Sequence, residues 1–131
     1  MCAVVSNCQG AVVIGNYSLI GIGAIVIGPV RIGNDVMIGQ HVLVTAVQHG
    51  YENVGMLIRE QPLERNQVVI DDNVWIGANS VITDGVRIGS HVVVGAGSLV
   101  TKDVQPFTMV AGNPARVIKR YDMSDKKWVR C

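Results

Sequence analysis

The chain has 131 residues, of which 49% are hydrophobic and 5% aromatic, and its formal net charge is +1. This length predicts one domain, and an apolar content of Val, Ile, Leu and Ala favours β structure. The near-neutral charge argues against a nucleic-acid or anionic-membrane partner, and no apolar run approaches the roughly 20 residues that span a bilayer.

The first block of the chain repeats every six residues. Counting from Ile14, each sixth position is Ile or Val, and stepping backwards adds Cys8 and Cys2 as weaker members. Position plus one is often Gly, positions plus two and three are mostly small or polar, and position plus four is small or β-branched. This period fits neither an amphipathic helix nor a hairpin protein. It predicts a strand and a corner in each hexad, with three hexads closing one coil of a parallel β-helix. The position-zero residues are Ile14, Ile20, Val26, Ile32, Ile38 and Val44.

The period stops after Val44 and resumes at Ile70, which is not a whole number of hexads later. We therefore predict that residues 46–67 leave the β-helix as a loop. His49 lies in this loop, whereas His41 and His91 fall at position plus three, where an exposed corner is expected. A histidine titrates near neutrality and can act as a general base.

The second block restores the period. Its position-zero residues are Ile70, Ile76, Ile82, Ile88, Val94 and Val100. We predict a single all-β domain over residues 1–131, with the β-helix at about 2–45 and 68–105, the loop at 46–67 and a tail at 106–131. In the tail, Ser124 is expected to cap a short helix over "DKKWVR".

Three cysteines, an odd number without a CxxC pair, indicate reduced thiols. The sequence also lacks a secretory signal pattern, so we predict a cytoplasmic location.

The segments "IGNYSLIGIGAIVIGPVRIGNDVMIG", "WIGAN", "GAGSLVTKDV" and "AGNPARVIKR" resemble the hexapeptide-repeat acyltransferases, in particular the sugar O-acetyltransferases and xenobiotic acetyltransferases. The resemblance covers about residues 14–120. It implies a left-handed β-helix, acetyl-CoA as co-substrate, and a homotrimer with active sites between subunits. The loop "HGYENVGMLIREQP" resembles the family loop whose histidine is catalytic, which implies that His49 is the general base.

The resemblance also implies which residues hold the cofactor. Trp75 would line the acetyl end of the groove, with packing in the trimer as the alternative, and a backbone N–H of Gly77 or Ala78 would stabilise the oxyanion. Glu52 or a backbone carbonyl would orient His49. The remaining predicted contacts are Ala78 and Ala96 at the pantetheine arm, Thr101 and Lys102 near the nucleotide, and Arg116 at the 3′-phosphate, with Lys119 or Arg120 as helpers.

We therefore predict a CoA-dependent enzyme that transfers acetyl to a hydroxyl of a saccharide. Two alternatives stay open, namely N-acetylation of an amino sugar and a β-helix scaffold without catalysis. No early-coil carboxylate matches the acceptor-binding residue of galactoside-type relatives, and Asn34 and Asp35 are the nearest candidates. No metal is expected, because a carbonic-anhydrase-type site needs three histidines and His49 alone lies off the corner position.

Overall fold

The structure is a computed structural model that describes residues 2–131. Within that range it has eighteen short strands and one 3-10 helix, Ile58–Glu60. The strands are β1 (Val4–Ser6), β2 (Val12–Ile14), β3 (Leu19–Ile20), β4 (Ile25–Ile27), β5 (Val30–Ile32), β6 (Met37–Ile38), β7 (Leu43–Thr45), β8 (Val47–His49), β9 (Leu63–Arg65), β10 (Val68–Ile70), β11 (Trp75–Ile76), β12 (Val81–Ile82), β13 (Arg87–Ile88), β14 (Val93–Val94), β15 (Leu99–Val100), β16 (Thr108–Ala111), β17 (Arg116–Asp122) and β18 (Lys127–Arg130). None of the described residues form a helix that is long and apolar enough to cross a membrane.

Most of these strands wrap into a parallel β-helix with three flat faces. Face A contains β1, β4, β7, β12 and β15, face B contains β2, β5, β10 and β13, and face C contains β3, β6, β11, β14 and β16. Successive strands within each face pair in parallel. The predicted all-β parallel β-helix is confirmed, because each hexad supplies one strand to one face.

The core is a set of stacked Ile and Val columns inside the prism. From Val26 to Val100, every position-zero residue is at most 1% exposed. Burial of each such side chain contributes roughly 1.5–3 kcal/mol to folding. Ile14 is 38% exposed because it lies in the first coil, which has a stacked neighbour on one side only.

The loop is an insertion of 20 residues into one coil. Ile20 pairs with Ile38, 18 positions later, whereas Ile32 pairs with Ile70, 38 positions later. Below the insertion the offset returns to 18, since Ile70 pairs with Ile88. The ladder therefore continues in register on both sides of the loop.

The backward extension of the period to Cys8 and Cys2 is wrong. Val5 pairs with Val26, so the first coil has 21 residues and Val5 takes position zero. Cys8 lies in an exposed turn, and Cys2 is exposed as well. The three additional residues fall in the turn that contains Gly10, whose φ of 132° a side chain would rarely adopt.

Position plus three forms the exposed corners, as the sequence indicates. His41 and His91 have φ values of 55° and 57°, in the left-handed region, and both are exposed. Asn, Asp and His tolerate this conformation better than most side chains. Their presence at these corners is therefore explained by backbone geometry.

The C-terminal tail is a β-hairpin, so the predicted helix after Ser124 is wrong. β16 extends face C by pairing in parallel with β14, and β17 and β18 then add two antiparallel strands. The side chain of Asp122 accepts hydrogen bonds from the N–H groups of Ser124 (2.8 Å) and Asp125 (2.9 Å). Such a turn completes a hairpin, and the alternating burial along β17 is that of a strand.

Candidate active site

The loop is a second, smaller unit attached to one corner of the prism. β8 and β9 pair in antiparallel fashion, and the Asn66 N–H closes the base of the loop by donating to the Ala46 carbonyl (2.9 Å). The Arg65 guanidinium donates to Gln9 Oε1 (2.6 Å), which ties the returning strand to the first coil. The loop is thus held at its base by the prism.

His49 is the last residue of β8 and is half-buried. Its ring folds back toward the backbone of the next residue. Its Nδ1 lies 3.3 Å from the carbonyl oxygen of Gly50. Because a carbonyl oxygen can only accept, this contact requires the proton on Nδ1 and leaves the lone pair on Nε2. Within the described residues no hydrogen bond joins His49 to Glu52, so the contact that the ring makes is with a backbone carbonyl and not with that carboxylate.

The tip of the loop is apolar and exposed. Val54 is 100% exposed, and four further apolar side chains surround it. These are Tyr51, Met56, Leu57 and Ile58. We call this group the loop tip. A projecting loop with five exposed large side chains is typical of a surface that binds another molecule.

A strip of small residues runs along the corner between faces C and A. Gly39, Gly77 and Gly95 stack at position plus one, with Ala78 and Ala96 beside them at position plus two. A Cβ on Gly77 would lie 2.5 Å from the Ala96 nitrogen, so neighbouring coils touch backbone to backbone. Beneath the strip, the buried hydroxyls of Ser80 and Ser98 both donate to the Gly95 carbonyl. We call this feature the glycine–alanine strip.

Within the strip, the backbone N–H groups of Gly77 and Ala78 differ in whether they are already hydrogen-bonded. The Gly77 N–H is buried and donates to the Val94 carbonyl (2.8 Å). The backbone N–H groups of Ala78 and Ala96 make no hydrogen bond with any described residue. The predicted role of Gly77 as a donor is therefore not supported, and its position is one of close packing. Ala78 and Ala96 present the free donors.

Trp75 points outward from face C, next to the strip. It stands in a column of apolar side chains with Leu19, Met37, Val93 and Met109. The indole is 51% exposed and lines an open cavity of about 590 Å³.

The far wall of this cavity is aromatic and was not predicted from the sequence. His91 stacks on Phe107 with ring centroids 4.7 Å apart, and Tyr121 meets Trp128 edge-on at 5.6 Å. Asp35 also lines the cavity with an unbonded carboxylate, whereas the Asn34 side chain accepts from the Asn16 N–H (2.8 Å). Of the two acceptor candidates, Asp35 lines this cavity and Asn34 does not.

A second cavity, of about 390 Å³, lies at the C-terminal end of the prism and is basic. Thr101, Lys102 and Arg116 line it together, as the sequence predicts for nucleotide contacts. The Ala115 N–H donates to the Leu99 carbonyl (2.8 Å), which docks the "NPAR" segment against β15. We call this cavity the basic pocket.

Arg120 lines the basic pocket and Lys119 does not. Lys119 pairs with Met109, which faces outward in the Trp75 column, whereas Arg120 pairs with the buried Thr108. Of the two predicted helpers, only Arg120 therefore lies at the basic pocket. The register of β16 and β17 shifts between Met109 and Val110, so strand alternation alone could not have shown this from the sequence.

His49 lines neither cavity. Residues 2–131 contain no group of three or more His, Cys, Asp or Glu that could hold a metal ion.

The family model described as bacterial transferase hexapeptide (six repeats) matches residues 11–46 and 67–102, together more than half of the chain. The galactoside O-acetyltransferase of Escherichia coli K12 is 38% identical over 99 residues, which are 76% of this chain and 48% of that protein. This chain thus spans about half the length of that relative.

Two further similarities bear on the chemistry. A 2,3,4,5-tetrahydropyridine-2,6-dicarboxylate N-acetyltransferase of Staphylococcus aureus is 52% identical over 60 residues, covering 46% of this chain and 25% of that protein. A hexapeptide-repeat acetyltransferase of Vibrio cholerae O1 biovar eltor, solved with acetyl coenzyme A, superposes with a TM-score of 0.81 at 31% identity. That superposition covers 92% of this chain and 65% of the Vibrio chain.

Proposed function

Because this chain belongs to the bacterial transferase hexapeptide family, we propose that it is an acetyl-CoA-dependent acetyltransferase acting on a hydroxyl of a saccharide. The observation that carries the proposal is the glycine–alanine strip, where the backbone N–H groups of Ala78 and Ala96 are unbonded and Trp75 stands alongside. Lys102, Arg116 and Arg120 offer charge for the nucleotide phosphates. The glycine–alanine strip then lets an extended pantetheine arm approach the backbone.

His49 acts as the general base in this proposal. With Nδ1–H held by the Gly50 carbonyl, Nε2 accepts the proton of the acceptor hydroxyl as its oxygen attacks the thioester carbonyl carbon. The free N–H of Ala78 donates to the oxyanion that forms. When the C–S bond breaks, the imidazolium returns its proton to the departing thiolate. No covalent acyl-enzyme is required, since acetyl passes directly from sulfur to oxygen.

The active site is completed between subunits of a homotrimer in this proposal. Two faces of the prism are apolar on the outside. Face A carries Val4, Ile25, Leu43, Val81 and Leu99 outward, and face C carries the Trp75 column. Face B instead carries exposed Arg31 and Arg87. Association through faces A and C would cover the loop tip and bring His49 of one subunit to Ala78 of the next.

Transfer to an amino group is the second candidate. It is favoured by the 52% identity to an N-acetyltransferase, although that match covers 46% of this chain. The cavity beside Trp75 combines aromatic rings with a free carboxylate at Asp35, a combination suited to a pyranose bearing either hydroxyl or amino groups.

The test is thiol release from acetyl-CoA against matched panels of sugars and amino sugars. His49→Ala is expected to lower kcat by about 10²–10⁴-fold, the usual contribution of a general base. His41→Asn is the matched control, because it alters another exposed histidine at a corner that asparagine tolerates. Turnover that is absent from the native protein would reject catalysis and favour a scaffold. Full activity in His49→Ala would reject the base.

A further inference from the structure

We propose that Gln61 is a positioning residue that sets the orientation of the His49 imidazole. The inference rests on the proposed role of His49 as the base. Gln61 is 8% exposed, whereas each residue from 51 to 60 is exposed. A buried polar side chain within an otherwise exposed loop must gain enough hydrogen bonds to offset the loss of water.

The amide of Gln61 makes three hydrogen bonds, all to loop backbone. Its Oε1 accepts from the Asn53 N–H (3.1 Å), and its Nε2 donates to the carbonyls of Asn53 (3.0 Å) and Met56 (3.2 Å). The side chain thus pairs with Asn53 in both directions, as a neighbouring strand would. It ties the turn at residues 53–56 to the end of the 3-10 helix, where the Gln61 N–H donates to the Ile58 carbonyl (3.0 Å).

The same residue lies next to the backbone that holds the imidazole. A Cβ built on Gly50 would lie 3.2 Å from the Gln61 Cβ and 2.8 Å from the Pro62 carbonyl oxygen. The Gly50 N–H donates to that carbonyl (2.9 Å). Gly50 in turn supplies the carbonyl oxygen that lies 3.3 Å from His49 Nδ1. Gln61 is therefore linked to His49 by a chain of contacts that runs through its neighbour Pro62 and through Gly50.

This chain of contacts is separate from the prism. The base of the loop is closed by Asn66, Ala46 and Arg65, none of which touches the Gln61 amide. Gln61 also lines neither the basic pocket nor the cavity beside Trp75. Its loss should disturb the base without disturbing the β-helix or the proposed acetyl-CoA path.

The experiment compares Gln61→Ala, Gln61→Glu and Gln48→Ala. Gln48 lies exposed in β8 of the same hairpin and makes no side-chain hydrogen bond, so it is the matched control. We expect both Gln61 variants to lose about 10- to 100-fold in kcat, since a misplaced catalytic group costs up to about 10². KM for acetyl-CoA should change by less than about twofold. Gln61→Glu separates hydrogen bonding from volume, because it keeps the shape but loses both N–H donors.

Amide hydrogen exchange and the pH profile of kcat complete the test. In both Gln61 variants, exchange should rise at residues 50–62 and stay unchanged in the prism strands, and the pH profile should shift with the altered imidazole contact. Normal kcat in Gln61→Ala, or full activity in Gln61→Glu, would overturn the inference. Absent turnover in the native protein would reject the proposed function instead, and full activity in His49→Ala would reject the base on which this inference rests. Unchanged exchange at residues 50–62 in Gln61→Ala would reject the positioning role separately.

Discussion

Replacing Gly77 with alanine tests how closely the coils are packed at the glycine–alanine strip. The added Cβ would lie 2.5 Å from the Ala96 nitrogen, 2.8 Å from its Cα and 2.9 Å from the Val94 carbonyl oxygen. Ordinary contacts begin at 3.4 Å. All three obstacles are backbone atoms, so no side chain can rotate away. The two coils must separate locally.

The expected cost follows from two terms. Overpacking of this kind costs about 1–3 kcal/mol. Separation also weakens two ladder hydrogen bonds, Gly77 N–H to Val94 and Gly97 N–H to Ala78, both 2.8 Å long, and each such bond contributes about 0.5–1.5 kcal/mol. We expect the free energy of unfolding to fall by about 2–6 kcal/mol. Affinity for acetyl-CoA should fall as well, because Ala78 and Ala96 move.

The assay is equilibrium urea unfolding followed by circular dichroism, with Gly97→Ala as the matched control. Gly97 lies in the next coil, and a Cβ there would meet no atom within 4 Å. Its φ of 70° adds only the cost of a left-handed alanine, about 1–2 kcal/mol. If Gly77→Ala destabilised the protein no more than Gly97→Ala, the argument from backbone contact would be refuted.

Three further predictions follow from the described contacts. Ile76→Ala should lower the free energy of unfolding by about 2–5 kcal/mol in urea titrations, because the side chain is 0% exposed and its removal leaves a cavity. A loss of unfolding free energy no larger than that caused by truncating an exposed valine to alanine would contradict this. Arg116→Ala should weaken CoA about two- to tenfold by calorimetry, as expected for an exposed phosphate contact, with dephospho-CoA unaffected. Lys119→Ala should change neither affinity, and equal effects of the two substitutions would reject the basic pocket. Asp122→Ala should speed amide exchange in β18 alone, since it removes both hydrogen bonds that form the turn; unchanged exchange there would show that the turn closes without them.

The columns of the prism could be predicted because they depend on a strict local rule. Each Ile or Val at position zero enters the core whatever lies around it, so Ile32 and Ile88 are placed by counting alone. The loop could be located for the same reason, since a break in the count has no place inside the prism. The rule fails at Cys8, because the turn before β2 has three more residues than a regular corner. Counting in steps of six still gives plausible residues there, so the sequence does not reveal the shift in register.

The site was less predictable because its chemistry depends on which side of the backbone is free. Gly77 and Ala78 are adjacent in "WIGAN", and only the ladder shows that the first N–H is bonded and the second is not. Arg120 and Lys119 differ by one position on β17, and only the folded strand shows which of them lines the basic pocket. The hydrogen bonds of Gln61 join residues eight positions apart inside a loop without period, and no sequence pattern announces them.

Because the coils keep their register across the insertion, the loop can be replaced without changing how the coils stack. Its 20 residues, 47–66, follow Ala46, and the last of them, Asn66, donates a 2.9 Å hydrogen bond back to the Ala46 carbonyl. The coils on either side of the loop therefore stack in the same register as coils without an insertion. Evolution could therefore replace the entire loop, with its histidine and the loop tip, while the prism and the proposed acetyl-CoA site stay unaltered. Selection on the proposed catalytic histidine and selection on the scaffold would act on separate stretches of the gene.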